Sequence, residues 1–239
     1  MGNSNVNSNR FSPYLKLMKL RVIILLQITA ICAILVHDLI SRHGLINIER
    51  TWADTFFTIL ITIVGGTLSA GGSNAINMWY DSDIDKKMNR TKNRPIPQGQ
   101  ISPISALIFG IIISIIGSLI FLILSWKAAF WSFFSVLFYV FIYTIWLKRK
   151  TPQNIVIGGA AGSLPPVIGW TIGTNSISLE PLSFFLIIFF WTPSHFWALS
   201  LYKADDYKKA NIPMMPITDG EEKTKLYILI YSLSMLPVI

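Results

Sequence analysis

The stretch Asn77-Met-Trp-Tyr-Asp81-Ser-Asp83-Ile-Asp85 places an amide and two carboxylates at intervals of four residues. A continuing helix would stack Asn77, Asp81 and Asp85 on one face. Like charges at that spacing repel unless a cation neutralises them. Oxygen donors that leave room for water and phosphate suit Mg²⁺. Asn77, Asp81 and Asp85 are therefore candidate metal ligands, with Asp81 and Asp85 also candidate catalytic residues. Asp83 points to the other side and is expected to be solvated or salt-bridged. Arg90 and Arg94 follow directly in Arg90-Thr-Lys-Asn-Arg94-Pro95, and their forked donors match phosphate oxygens. A metal-bound diphosphate would satisfy both charge sets. The plainer alternative is a cytoplasmic loop whose acids and bases pair with each other.

A second constellation lies further on, in Thr192-Pro193-Ser194-His195-Phe196-Trp197 and then Asp205-Asp206-Tyr207-Lys208-Lys209. Here Asp206 could add a ligand for a second metal ion bridging the same diphosphate, and Lys203, Asp206 and Tyr207 are candidate substrate contacts. His195 sits in an apolar segment, where an ionisable group is either a hydrogen-bonded structural residue or functional; it could meet a substrate. Tyr143, Lys148 and Arg149 form a third cationic edge, Lys148 being the candidate for leaving-group stabilisation. Trp79, Tyr80 and Tyr143 could shelter a carbocation through their π faces, and packing explains them nearly as well. His37 and His43 are expected at the opposite membrane interface, and Cys32, the single cysteine, reads as a small apolar core residue.

The elements that must position these residues are set by composition. The 239 residues are 52% hydrophobic and 13% charged, well short of the roughly 25% charged residues of a soluble domain. Lipid is the solvent. Six apolar runs are long enough to span a bilayer: Leu20–Ile40, Thr55–Trp79, Ile104–Leu124, Ala128–Leu147, Gln153–Ile172 and Pro181–Leu201. A seventh starts near Leu226 and reaches Ile239 without a polar flank, so the spanning domain, residues 20–239, is expected to be C-terminally incomplete. Residues 1–19 read as a disordered or interfacial segment with no cleaved signal peptide.

Of the 20 Lys and Arg residues, only Arg42, Arg50 and Lys127 fall outside the N-terminal segment and the loops after runs two, four and six. By the positive-inside rule those regions are cytoplasmic, which puts both acidic constellations on one side. The formal charge of +8 is thereby accounted for by topology, and no nucleic-acid partner is expected. Helix two carries Gly65, Gly66, Gly71 and Gly72, residues that permit close helix approach in lipid. Trp52, Trp126 and Trp146 fall near helix ends, as in an interfacial belt. A prokaryotic plasma membrane is the simplest address.

Together these residues resemble the UbiA superfamily of intramembrane prenyltransferases. Asn77, Asp81 and Asp85 fit its Asn-x-x-x-Asp-x-x-x-Asp pattern. Three longer strings are similar to the haem O synthase branch: Arg90-Thr-Lys-Asn-Arg94-Pro95; Tyr143-Thr-Ile-Trp-Leu-Lys148-Arg149 leading to Pro165-Pro166-Val-Ile-Gly169-Trp170; and His195-Phe-Trp through Asp206-Tyr207 to Asn211-Ile-Pro213-Met-Met-Pro216. The resemblance implies an all-α polytopic transmembrane bundle of about nine helices, seven or so of them represented here, around a cavity open to lipid. It implies Mg²⁺-dependent transfer of a farnesyl group from farnesyl diphosphate to a vinyl group of haem B, which is a substrate and not a prosthetic group. His195 would then face haem iron or a propionate. Haem A synthase or terminal-oxidase assembly proteins would be partners. Two positions depart from the pattern: the second acidic site lacks an Asp-x-x-x-Asp repeat, and Ser194 stands where many relatives carry a second proline. Other readings stay open at this point, namely a prenyltransferase for an aromatic or quinone precursor, a membrane transporter with a cation site, and a non-catalytic haem-delivery factor.

Overall fold

A computed structural model describes residues 11–43, 50–176 and 179–239. Among them every regular element is helical: α1 (Ser12–Met18), α2 (Leu20–Arg42), α3 (Trp52–Tyr80), α4 (Ser82–Asp85), α5 (Pro103–Ile120), α6 (Trp126–Leu137) running into a π-helix (Phe138–Leu147), α7 (Asn154–Gly162), α8 (Leu164–Thr174), α9 (Leu182–Tyr202), α10 (Ala204–Lys209), α11 (Met215–Thr218) and α12 (Glu221–Leu233). Six helical stretches among the described residues are long and apolar enough to cross a membrane, and each coincides with a run read from the sequence. The seventh run begins within α12, which starts earlier, at Glu221, ends at Leu233, and at 13 residues falls short of a span.

Start and stop signals account for the boundaries. Thr51 and Asp54 form a capping box at the head of α3. Ser102 caps α5 through the Ser105 N–H, with Pro103 at the first position. The span Asn154–Thr174 is broken at Ser163, whose hydroxyl bonds back to the Gly159 carbonyl, and Pro165 and Pro166 restart the chain as α8. Ser194 lies beside Pro193 inside α9. Its hydroxyl donates to the Ile228 carbonyl at 3.0 Å and accepts from Ser232, so the departure from proline ties α9 to α12.

The tightest packing is between α3 and α5. A Cβ on Gly72 would stand 2.5 Å from the Gly110 carbonyl oxygen and 2.5 Å from the Ser114 nitrogen, and one on Gly117 would strike the backbone of Ser69 and Gly65. Glycines therefore bring two spans into backbone contact, an arrangement lipid does not disfavour.

Helix ends sort the charged groups into two sets. One end of the bundle gathers Lys19, residues 77–94, Lys148 and Asp206, described below. At the other end, Asp38 is fully buried in α2. It accepts from Thr55 Oγ1 at 2.6 Å, pairs with Arg50 at 2.8 Å and bonds to the adjacent His37 at 2.8 Å. His37 lies at this opposite end and is wholly buried there, edge-on to Trp170 and seated over Gly173, so it faces neighbouring helices and not lipid or water. Cys32 differs from expectation, facing outward from α2. His43 ends α2, and the segment after it lies outside the described residues.

Gly117→Val should force α3 and α5 apart against backbone that cannot yield, lowering stability by about 1–3 kcal/mol. Detergent-solubilised protein would show this as a fallen thermal midpoint by tryptophan fluorescence, and an unchanged midpoint would contradict the close approach.

Candidate active site

The acidic face begins inside the last turn of α3. Asp81 N–H bonds to the Asn77 carbonyl at 3.0 Å and Asp85 N–H to the Asp81 carbonyl at 2.8 Å. The i→i−4 ladder thus crosses the break between α3 and α4, where Asp81 is the joint residue. Asn77, Asp81 and Asp85 share one face, and all three are buried.

Each acid has its own cation. Lys148 Nζ contacts Asp81 Oδ2, which also accepts from Asn77 Nδ2 at 3.0 Å. Arg94 reaches both oxygens of Asp85 from one nitrogen, Nη1, at 2.9 and 2.8 Å, a charge-assisted contact shared between the two oxygens. Asn77 Nδ2 also reaches Thr144 Oγ1 at 3.2 Å, and Asn77 Oδ1 accepts from Lys19 Nζ at 2.8 Å. Three cations therefore surround two carboxylates. One oxygen is left over: Asp81 Oδ1 is buried and has no hydrogen-bond partner. A buried carboxylate oxygen without a partner is costly, and a divalent cation would satisfy it. On that observation the oxygen donors Asn77, Asp81 and Asp85 fit Mg²⁺. Among the described residues no three His, Cys, Asp or Glu side chains converge on one point, so phosphate and water would have to complete its shell.

The π-helix accounts for the side of the site opposite α3. Its wider turn bonds Lys148 N–H to the Tyr143 carbonyl, five residues back, at 2.9 Å. This register turns Thr144 and Lys148 toward Asn77 and Asp81. Tyr143 stacks on Tyr139 with centroids 5.3 Å apart, its ring occupying space that only a glycine at 158 leaves open. Arg149 is otherwise engaged. It forks onto Asp83 at 2.7 and 2.9 Å, donates to the Tyr80 carbonyl at 2.8 Å and lies over the Tyr80 ring. That pairing holds the Asp83 carboxyl below its ordinary range and raises the Arg149 guanidinium.

Asp206 brings the second acidic loop to the first. Its two oxygens accept the backbone N–H groups of Asn89 and Arg90 at 3.3 and 3.2 Å. Desolvation pushes this carboxyl up, but the two N–H bonds and the nearby Lys209 and Lys203 hold it below its ordinary range. Tyr207 is buried under Arg90, whose guanidinium lies 5.9 Å from the ring centroid. Lys203 is exposed at the end of α9. Beneath both loops Ile84, Met88, Ile155, Trp197, Tyr207, Ala210, Ile212, Met214 and Met215 form one apolar cluster. The Asn211-to-Pro216 string is thereby its floor. His195 stands apart, exposed on α9 and stacked on Trp191 at 4.5 Å.

Two members of the site carry no sequence signal for it. Thr144 is one more apolar-run residue, and Lys19 reads only as a topological charge. Within residues 1–19 the chain from Ser12 is helical, and Leu17 is fully buried against Ala75, Met78 and Ala106.

The family model for the UbiA prenyltransferase family matches residues 43–239. The chain belongs to the UbiA prenyltransferase family. Relatives include a "Protoheme IX farnesyltransferase" of Pelagibacter ubique, 56% identical over 99% of this chain and 74% of that protein. One of the same name from Bartonella tribocorum is 49% identical, covering 98% of this chain and 71% of the relative. The UbiA fold is shared with a solved homologue from Archaeoglobus fulgidus bound to DMAPP and Mg²⁺, at a TM-score of 0.77 and 15% identity over 95% of this chain and 76% of that one. It is shared too with an apo homologue from Aeropyrum pernix, TM-score 0.68 and 18% identity, over 89% of this chain and 76% of the other. This UbiA chain is a multi-pass membrane protein.

Asp206→Asn would turn an amide N–H toward a backbone N–H and release the 86–99 loop. Hydrogen exchange of the Asn89 and Arg90 amides should quicken by about tenfold, the loss of one charge-assisted bond. Unchanged protection would show that the loop is held otherwise.

Proposed function

We propose that the chain transfers a farnesyl group from farnesyl diphosphate to a vinyl group of haem B, forming haem O. The observation that carries the chemistry is the buried, unpartnered oxygen of Asp81 inside a surplus of cations. The acceptor rests on the relatives that bear the protohaem IX farnesyltransferase name at 46 to 56% identity.

In this reading Asn77, Asp81 and Asp85 hold Mg²⁺, with Asp206 a further candidate where the second loop meets the first. Mg²⁺, when bound, offsets the negative charge that builds on the diphosphate. Lys148 and Arg94, already paired with the acids, and Arg90 at the rim stabilise that departing charge as the allylic C–O bond breaks and its electron pair leaves on oxygen. Arg149 supports the rim through Asp83 and Tyr80. Tyr143, stacked on Tyr139, presents its ring to the allylic cation. The haem vinyl carbon attacks that cation, and water adds to the resulting centre with loss of a proton. Farnesyl diphosphate, haem B and water thus become haem O, diphosphate and a proton. Tyr207 and Lys203 line the diphosphate approach, and His195 offers an imidazole to haem iron or a propionate.

The address that fits is a prokaryotic plasma membrane, the N-terminus and site loops cytoplasmic, supported by the clustering of all but three basic residues on that side. Haem A synthase or oxidase-assembly proteins would receive the product.

Asp81→Asn and Asp85→Asn should each lower haem O formation by at least about 100-fold, read by mass analysis of haems after incubation with haem B and farnesyl diphosphate. Size-exclusion profiles should stay monodisperse. Near-normal product from either variant would refute the role of the acids, and product from an aromatic acid in place of haem B would refute the acceptor.

A further inference from the structure

Lys19 occupies the joint between α1 and α2 with φ +57° and ψ +53°, left-handed backbone that residues with a Cβ rarely adopt. Such a conformation persists only where its surroundings enforce it, and it collects at functional positions. The enforcement comes from one stripe of α3. Gly71 leaves room for Met18, since a Cβ there would meet Met18 Cε at 2.5 Å and Cγ at 3.0 Å. Asn74, buried, donates from Nδ2 to the Met18 carbonyl at 2.9 Å and accepts from Tyr139. Asn77, three residues on, accepts from Lys19 Nζ at 2.8 Å. Residues 71, 74 and 77 follow each other on one helical face, so the helix that carries the acids also fixes the chain that delivers the lysine.

The consequence falls on Asn77. An amide offers an acceptor on one side and a donor on the other. With Lys19 bound to Oδ1, Nδ2 turns to Asp81 Oδ2 and Thr144. That contact holds Asp81 by Oδ2 and leaves the buried Oδ1 unpartnered. We infer that Lys19 is a positioning residue, latched by Asn74 and Gly71 at the α1–α2 joint, that orients Asn77 and through it the Asp81 carboxylate. The inference rests on the diphosphate reading of the site and adds to it a role for the N-terminal helix.

The test measures binding of farnesyl thiodiphosphate, a slowly reacting analogue, to the purified protein by calorimetry at saturating Mg²⁺, without haem. Lys19→Gly removes the amine while relieving the backbone, so its thermal midpoint should match or exceed that of the wild type. Its affinity should fall by about tenfold, as expected for one charge-assisted hydrogen bond. Lys19→Arg should bind within about threefold of wild type. Asn74→Ala should also weaken binding, and the double variant Lys19→Gly/Asn74→Ala should be no weaker than Lys19→Gly alone, because both changes act through one latch. Unchanged affinity in Lys19→Gly would overturn the inference, as would strictly additive losses. A fallen midpoint with lost binding in both Lys19 variants would overturn it too, marking a residue of the fold. A wild-type protein that binds no analogue would instead overturn the diphosphate reading itself.

Discussion

Two carboxylates that cannot stay bare at a membrane boundary govern this structure. Asp81 is fully buried and Asp85 nearly so, and an ion in such surroundings must be paired and hydrogen-bonded or it will neutralise. The chain answers from three directions: Lys19 ahead of α2, acting through Asn77; Asn77 itself and Arg94 around the end of α3; and Lys148 after the π-helix. Each of these lies at a helix end that the alternation of spans brings to the same side. Bundle topology and site electrostatics are therefore one constraint, since an odd number of spans between any two of these segments would have placed them a membrane apart.

The packing serves the same end. Glycine contacts draw α5 onto α3, and the π-helix swings Thr144 and Lys148 inward, where an α-helical turn would have put them on another face. The apolar cluster under Met88, Tyr207 and Met215 supports both acidic loops from below. Excess positive charge in the finished cluster favours an anion, and the unpartnered Asp81 oxygen favours a cation beside it. A metal-bound diphosphate is both.

Much of this was legible in the residues. Apolar run lengths located the six spans to within a few residues, because a bilayer demands about 20 apolar positions and tolerates few charges. The four-residue spacing of Asn77, Asp81 and Asp85 placed them on one face, and the ladder through Asp81 keeps them there despite the helix break. Asp83 was expected to be salt-bridged, and Arg149 is its partner. What escaped notice depends on partners distant in sequence. Thr144 joins Asn77 only through the π-turn, which periodicity does not announce. Lys19 looks like any cytoplasmic lysine until Asn74 bends the chain toward Asn77. His37 was assigned to the interface from its position along α2, yet Asp38, Arg50 and Gly173 make a buried seat for it.

The account turns on whether the Asp81 carboxylate grips a divalent cation that also touches the diphosphate. Electron paramagnetic resonance of Mn²⁺ titrated into the purified protein with farnesyl thiodiphosphate tests this directly. A saturable Mn²⁺ signal coupled to phosphorus, present in the wild type and lost in Asp81→Asn, is the predicted result. Mn²⁺ bound with equal affinity and equal phosphorus coupling after that substitution would contradict it.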